Sequence, residues 1–241
     1  MERNIAIKCC IEEIINGKFY GGNKESLRSS YVLTKYGERI SRVNIFGTVV
    51  DKFVSEDDSY ASIIINDFSG AVRVKAFKED VKKLKEIEVG NNVIVIGKPR
   101  FWNNEIYIGL EIIRVVEDPN FESYRRIEIL KKLIERKRMI SEILNLKEKL
   151  EEESFRNYIK ERYGYSDDEL DFLLQVKEER KDFKLQVLKI IKELDKGNGV
   201  DVLDIFGSIN LESSILDSIL TELLNEGKIY EIEPGKIKVK I

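Results

Sequence analysis

Between Val43 and Glu117 the chain alternates apolar and polar residues in short runs, and this period of two is its tightest constraint. Val43, Ile45, Gly47 and Val49 alternate with Asn44, Phe46, Thr48 and Val50, while Val72, Val74 and Ala76 alternate with Arg73, Lys75 and Phe77. Successive strand side chains point to opposite faces, so each run buries one row and exposes the other. Residues 60–66, closed by an Asp67-Phe68-Ser69-Gly70 turn, give a further strand, and residues 93–97 and 107–116 give two more. A short helix over residues 80–87 separates the third strand from the fourth.

Three strands, a helix and two strands is the order of the OB-fold, a small five-stranded barrel. Gly47 and Gly97 fall in mid-strand, where so tightly coiled a sheet needs sharp bends. The outward row of the third strand then carries Arg73, Lys75 and Phe77. The last two strands meet in a Lys98-Pro99-Arg100-Phe101-Trp102-Asn103-Asn104 hairpin. Cations can follow the phosphates of a single strand while flat rings stack on its unpaired bases. A covering arm or a partner chain is the other explanation for Phe77. Trp102 and Phe101 sit where burial within the chain is difficult, but adjacent residues point apart, so Trp102 is the stronger candidate. Lys98 and Arg100 share the strand face that leads to that tip. Tyr107 and Phe46 are weaker candidates, better placed for packing beneath an arm.

Composition removes most alternatives. The 241 residues include no histidine, which excludes His-based triads and metal sites, and only two cysteines, the adjacent Cys9 and Cys10. Both read as small apolar residues on an N-terminal helix. No compact acidic cluster suggests a metal, and no catalytic motif or cofactor signature is present, so the expectation is a non-enzyme without cofactor or metal. No apolar run approaches the roughly 20 residues of a membrane span, and the expected location is cytoplasmic, at the nucleoid. The net charge of −3 divides as +2 over residues 1–40, −2 over 41–118, 0 over 119–181 and −3 over 182–241. A nucleic-acid site on such a chain is a local groove, not a polycationic surface.

These segments define the expected organisation, an α+β multidomain chain. Residues 1–40 form an N-terminal helix, over residues 4–16, and an arm that loops through Gly17 to Ser30 before a short strand at Tyr31 to Thr34. Residues 41–118 form the OB-fold. Residues 119–181 form a helical connector, entered at Asp118-Pro119, an N-cap acid before a first-turn proline. Its first helix runs to about Glu152, with Ile127, Leu130, Leu133 and Ile134 as an apolar face for its own barrel or for other subunits. Ser166 and Glu169 form a capping box opening a second helix to about Glu179. Residues 182–241 give helices at 183–194, 202–206 and 212–225, then strands flanking Pro234-Gly235, the pattern of a winged helix-turn-helix. Its third helix carries Glu212, Asp217, Glu222 and Glu226 and no Lys or Arg within 212–226, which favours protein docking over duplex reading.

Taken jointly, several stretches resemble the middle subunit of replication protein A, in its archaeal form. They are Tyr31-Val32-Leu33-Thr34, Gly37, Arg42-Val43, Gly47-Thr48-Val49 and Asp67-Phe68-Ser69-Gly70. Asp118-Pro119-Asn120 with Arg125-Arg126-Ile127-Glu128, Gly199-Val200-Asp201 through Gly227-Lys228-Ile229-Tyr230-Glu231, and Pro234-Gly235-Lys236-Ile237-Lys238-Val239 continue the match. The resemblance implies a single-stranded DNA-binding subunit of a heterotrimer acting in replication, repair and recombination. It implies stacking aromatics at the positions of Phe77 and Trp102. It also implies a subunit-bundling helix from Asn120 to about Leu144, and a winged helix that recruits repair and replication proteins. The N-terminal segment departs from the family's phosphorylatable tail, and residues 150–181 have no counterpart. Two rival readings remain: an assembly subunit that mainly docks proteins, and a duplex-binding regulator acting through the winged helix.

Overall fold

The computed structural model describes residues 4–22, 29–209, 211 and 213–240, and the chain divides into two compact units, Met1–Leu173 and Leu174–Ile241. The first unit begins with β1 (Ile7–Lys8), α1 (Ile11–Ile15), β2 (Lys18–Tyr20), β3 (Tyr31–Leu33) and β4 (Arg39–Ile40). It continues with β5 (Val43–Val54), β6 (Tyr60–Asn66), β7 (Ala71–Phe77), α2 (Val81–Lys85), β8 (Asn92–Trp102) and β9 (Glu105–Val115). Helices α3 (Asn120–Lys147), α4 (Glu152–Tyr163) and the start of α5 (Asp167–Leu194) complete it.

Six strands make one mixed sheet in the order β1-β5-β6-β7-β9-β8, which resembles an OB-fold, and β5 pairs with β8 as well as with β6. The alternating residues decide its inside. Val43, Ile45, Val49, Ile63, Ile65, Val72, Val74, Val93, Val95 and Ile108 are buried in one core, with Leu84 of α2 and Ile11 and Ile14 of α1. The strong coiling requires two glycines. A Cβ on Gly97 would lie 2.4 Å from the Gly109 carbonyl oxygen, and one on Gly47 would lie 2.9 Å from that of Asn66. The β8–β9 hairpin turns through Asn103 and Asn104, both at positive φ (51° and 61°), the two-residue turn that asparagine tolerates.

The N-terminus differs from the expected single helix over 4–16. Ile7 pairs in parallel with Val43, so the backbone there is extended, and only Ile11–Ile15 is helical. Cys10 caps that helix and Glu13 accepts its N–H at 3.1 Å, so Cys9 and Cys10 precede the helix instead of lying on it. The expected loop from Gly17 to Ser30 contains a strand, because Lys18–Tyr20 pairs with Tyr31–Leu33 in a second sheet, β2-β3-β4. Within that loop, residues 23–28 lie outside the described residues.

The connector departs in the other direction. The first helix stops at Lys147 and a separate α4 follows. Asp118 accepts the Asn120 N–H at 2.9 Å, but the helix starts one residue later than read from the sequence. The Ser166–Glu169 capping box is present, with Ser166 N–H donating to Glu169 at 2.8 Å. The helix it opens does not stop near Glu179. It runs unbroken to Leu194, because Glu179-Arg180-Lys181-Asp182 contains neither glycine nor proline.

In the second unit the end of α5 packs with α6 (Val202–Ser208) and α7 (Ser213–Asn225) over a three-stranded sheet. That sheet has the order β10-β12-β11, with β10 at Val200–Asp201, β11 at Ile229–Glu233 and β12 at Lys236–Val239. Val187, Ile191, Leu216, Ile219, Leu223, Ile229 and Ile237 fill its core. Glu212 lies outside the described residues. No helix among the described residues is long and apolar enough to cross a membrane.

Candidate nucleic-acid interface

Strand register decides which outward side chains meet. Between β6 and β7, Tyr60 lies opposite Phe77, Ser62 opposite Lys75 and Ile64 opposite Arg73. Phe53 of β5 lies opposite Ser62, and Lys75 pairs with Gly109 of β9. Across the hairpin, Gly109 faces Lys98, Tyr107 faces Arg100 and Glu105 faces Trp102. Directly paired residues share a face, so one line across the sheet reads Phe53, Ser62, Lys75, Gly109, Lys98. Its floor is made of two small residues, the buried Ser62 and Gly109. Larger side chains stand along it.

One end of this surface is a row of rings. Phe53, Tyr60 and Phe77 lie on three adjacent strands with centroids 6.0 Å and 5.3 Å apart, tilted by 46° and 48°. Phe77 is 52% exposed. At the other end Trp102 is 72% exposed at the hairpin tip, on the same strand face as Lys98 and Arg100. Between the two ends, Lys75 Nζ sits 4.1 Å from the centre of the Tyr107 ring. The sequence reading singled out Phe77 and Trp102 but missed Phe53 and Tyr60. Phe53 lies beyond the expected end of its strand at Val50, and Tyr60 is recognisable only once it is paired with Phe77.

Charge is uneven along the surface. Arg73 and Arg100 make no ion pair among the described residues, and Lys98 approaches Glu111 at 3.8 Å while Glu111 already binds Arg42 at 2.6 Å. Acids gather near the ring row. Asp51 pairs with Ile64 on the Arg73 line. In the following loop, hydrogen bonds from Ser55 and Ser59 hold the Asp57 carboxyl down to about 2, and Asp58 binds Lys85 at 2.5 Å. This arrangement offers phosphates the Lys75–Arg100–Lys98 side and leaves the Phe53–Tyr60–Phe77 side to uncharged, flat groups.

The remaining candidates fall elsewhere. Phe101 turns to the opposite side of β8 from Trp102 and stacks on Phe19 of β2, with centroids 5.7 Å apart and planes 19° apart. Phe46 is buried beneath α3, 5.3 Å from Phe121. On α3, Ile127, Leu130 and Ile134 form an exposed apolar stripe, while Leu133 is half-buried. In the second unit, Glu222 of α7 accepts Arg180 at 2.7 Å and Lys184 at 2.9 Å, and Glu226 pairs with Lys184. No group of three His, Cys, Asp or Glu among the described residues could hold a metal ion.

No protein-family model matches the chain. Over 240 residues it is 28% identical to an uncharacterized protein of Methanocaldococcus jannaschii, covering 98% of this chain and 88% of that one. Among solved structures it is similar to the Schizosaccharomyces pombe Stn1–Ten1 complex, at 19% identity over 54% of this chain and 91% of that one, with a TM-score of 0.44. It is also similar to a replication protein A heterotrimer bound to single-stranded DNA, at 17% identity over 55% and 98% of the two chains, with a TM-score of 0.45. The second OB-fold domain of replication protein A from Methanococcus maripaludis is 21% identical over 33% and 86%, with a TM-score of 0.27.

Proposed function

We propose that this chain is a single-stranded DNA-binding subunit of a replication protein A-like heterotrimer, acting in DNA replication, repair and recombination. The observation that carries the reading is the small-floored line Phe53-Ser62-Lys75-Gly109-Lys98, flanked by Phe77 and Trp102. Bases stack on Phe77 and Trp102, with Tyr60 and Phe53 extending the first platform. Arg73, Lys75, Lys98 and Arg100 follow the phosphates. Phe101, stacked on Phe19, ties the hairpin to the β2-β3-β4 sheet and so holds Trp102 in place. The exposed Ile127/Leu130/Ile134 stripe of α3 joins helices of the other subunits, with Leu133 packed behind it. The second unit serves as a winged helix that recruits repair and replication proteins, since α7 holds acids paired to lysine and arginine within its own unit. The chain acts without catalysis, cofactor or metal, in the cytoplasm at the nucleoid of an archaeal cell.

The test is fluorescence anisotropy of a labelled oligo-dT with the full chain and with its Phe77→Ala/Trp102→Ala variant. Unchanged affinity would defeat the stacking assignment. The acids at Asp51, Asp57 and Asp58 beside the ring row favour a second reading, an assembly subunit whose surfaces mainly dock proteins. That reading predicts no oligo-dT binding by the wild type at physiological salt, and retention of the complex in the double variant.

A further inference from the structure

The second unit brings together cations that the sequence keeps apart. Lys177, Arg180, Lys181 and Lys184 recur on α5 at spacings of three and four, so they share one side of the helix, with Glu178, Glu179 and Asp182 outside that stripe. They converge with Lys228 on a cavity of about 220 Å³ whose other lining residues are Glu222 and Glu226 of the α7 end. Among the described residues no apolar side chain lines it. Both carboxylates are committed: Glu222 accepts Arg180 at 2.7 Å and Lys184 at 2.9 Å, and Glu226 holds Lys184 and, at 2.9 Å, Lys228. Even with Lys177 set aside, four cations face two acids, and Lys181 makes no ion pair among the described residues. The acids that make α7 repel phosphates in the sequence are thus covered by α5, and the surface they share is positive.

The same surface continues over the small sheet. Lys228 stands just before β11, two residues from Tyr230, so both turn to one face. Lys238 lies opposite Tyr230, and the Lys240 N–H donates to the Lys228 carbonyl at 2.8 Å, which puts both lysines on that face too. Glu231 lies opposite Ile237 on the other face, and Glu233 pairs with Lys236 at 3.2 Å. Tyr230 is 45% exposed and, with Lys238, Val239 and Lys240, lines a second cavity of about 460 Å³. Lys238 is partly held, 3.6 Å from Asp195 and donating to the Gly197 carbonyl at 2.9 Å. Lys240 makes no ion pair among the described residues. We infer that the second unit carries its own track for single-stranded nucleic acid, with the α5 cations, Lys228 and Lys240 along the phosphates and Tyr230 under an unpaired base. The lining selects that ligand class. An acidic peptide is anchored by apolar or aromatic side chains seated in pockets, and the charged cavity has no wall for one. A phosphate backbone needs only the charge, and a flat ring among lysines takes a base that a duplex would keep stacked. The inference adds a ligand to the protein recruitment proposed for this unit and does not depend on the barrel.

The experiment uses the full chain in a Phe77→Ala/Trp102→Ala background, which removes the barrel's stacking rings. Anisotropy of a labelled oligo-dT is read across a salt series. Lys181→Gln/Lys240→Gln should lower the slope of log affinity against log salt by about 1.4, at about 0.7 for each contact. Tyr230→Ala should weaken binding at least about fivefold, and an iodouracil-substituted oligonucleotide should photo-cross-link to Tyr230. All three side chains are exposed, so the melting temperature should stay level in these variants. An unchanged slope in the lysine variant, or no cross-link within residues 174–241, overturns the inference. Equal affinity for oligo-dT and for a duplex, with Tyr230→Ala silent, overturns the single-strand assignment. A poly-glutamate peptide of matched charge that binds as tightly as oligo-dT marks an acidic-protein surface and overturns the choice of nucleic acid. The barrel reading fails separately, if the Phe77→Ala/Trp102→Ala background binds as tightly as the wild type.

Discussion

Two sets of charged and aromatic side chains in the first unit are treated in opposite ways. On the β7–β9–β8 face, Arg73 and Arg100 have no carboxylate partner among the described residues, and Trp102 and Phe77 stand open. At the arm, Arg39 donates to both oxygens of Glu169 at 2.6 Å and 2.8 Å, and its Nη2 reaches the Gly164 carbonyl at 2.7 Å. Tyr31 donates to the same carboxylate at 2.8 Å, and the Tyr165 hydroxyl donates to the Gly37 carbonyl at 2.6 Å. The second set is a finished clamp that fastens α4 and α5 to the β2-β3-β4 sheet. The first set has its donors and rings turned outward. Paired groups build the molecule, whereas unpaired ones facing solvent on a small-floored sheet are available to a ligand.

The largest test of that contrast is the Phe77→Ala/Trp102→Ala variant. Each lost stack should cost about 1–3 kcal/mol of single-strand binding, with a smaller loss of unfolding free energy, about 0.5–1.5 kcal/mol, from the Tyr60–Phe77 ring contact. The clamp should respond in reverse. Glu169→Gln should lower unfolding free energy by about 2–3 kcal/mol, because it leaves Arg39 without its buried partner, and should leave oligo-dT affinity unaltered. Chemical denaturation and anisotropy on the same samples check both statements.

Acid sharpens the same comparison. Burial opposes the charge of Glu169, but Arg39, the Ser166 N–H and Tyr31 outweigh it and hold the carboxyl down to about 2. An unfolded glutamate titrates near about 4.3. The native state therefore binds fewer protons in that interval, so the clamp's stabilisation is complete above the unfolded value and is lost as pH falls towards 2. The difference in urea midpoint between wild type and Glu169→Gln should be full at pH 6 and should close between about pH 4 and pH 2. A constant difference across that range would show that the ion pair is not what holds the clamp.

Much of the sheet was legible because a half-buried strand has a period of two, and Val72, Val74 and Ala76 could face only one way. The glycine bends were legible for the same reason, since Gly47 and Gly97 interrupt rows that otherwise bury large side chains. What stayed hidden depends on pairing between distant segments. Ile7 has the spacing of a helical stripe with Ile11 and Ile14, yet a free backbone edge beside Val43 draws it into the sheet. The sequence reading could give Glu169 its capping role but not Arg39 and Tyr31, which lie 130 and 138 residues away. The ring row failed to show for the same reason, because Phe53, Tyr60 and Phe77 come together only through register.

The smallest expected effect separates the cations on the open face from one another. A cation that displaces counterions from a single strand contributes about 0.7 to the slope of log affinity against log salt. Arg100 has no carboxylate partner among the described residues and lies beside the groove floor, its Cγ 3.7 Å from where a Cβ on Gly109 would sit. Arg100→Gln should therefore lower the slope by about 0.7. Lys98 already lies 3.8 Å from Glu111, so part of its charge is neutralised before DNA arrives. Lys98→Gln should then lower the slope by less than Arg100→Gln does. In a Glu111→Gln background the loss caused by Lys98→Gln should grow towards the Arg100 value. Equal slopes for the two single variants would mean that Glu111 is committed to Arg42, which it binds at 2.6 Å, and that Lys98 belongs wholly to the open set.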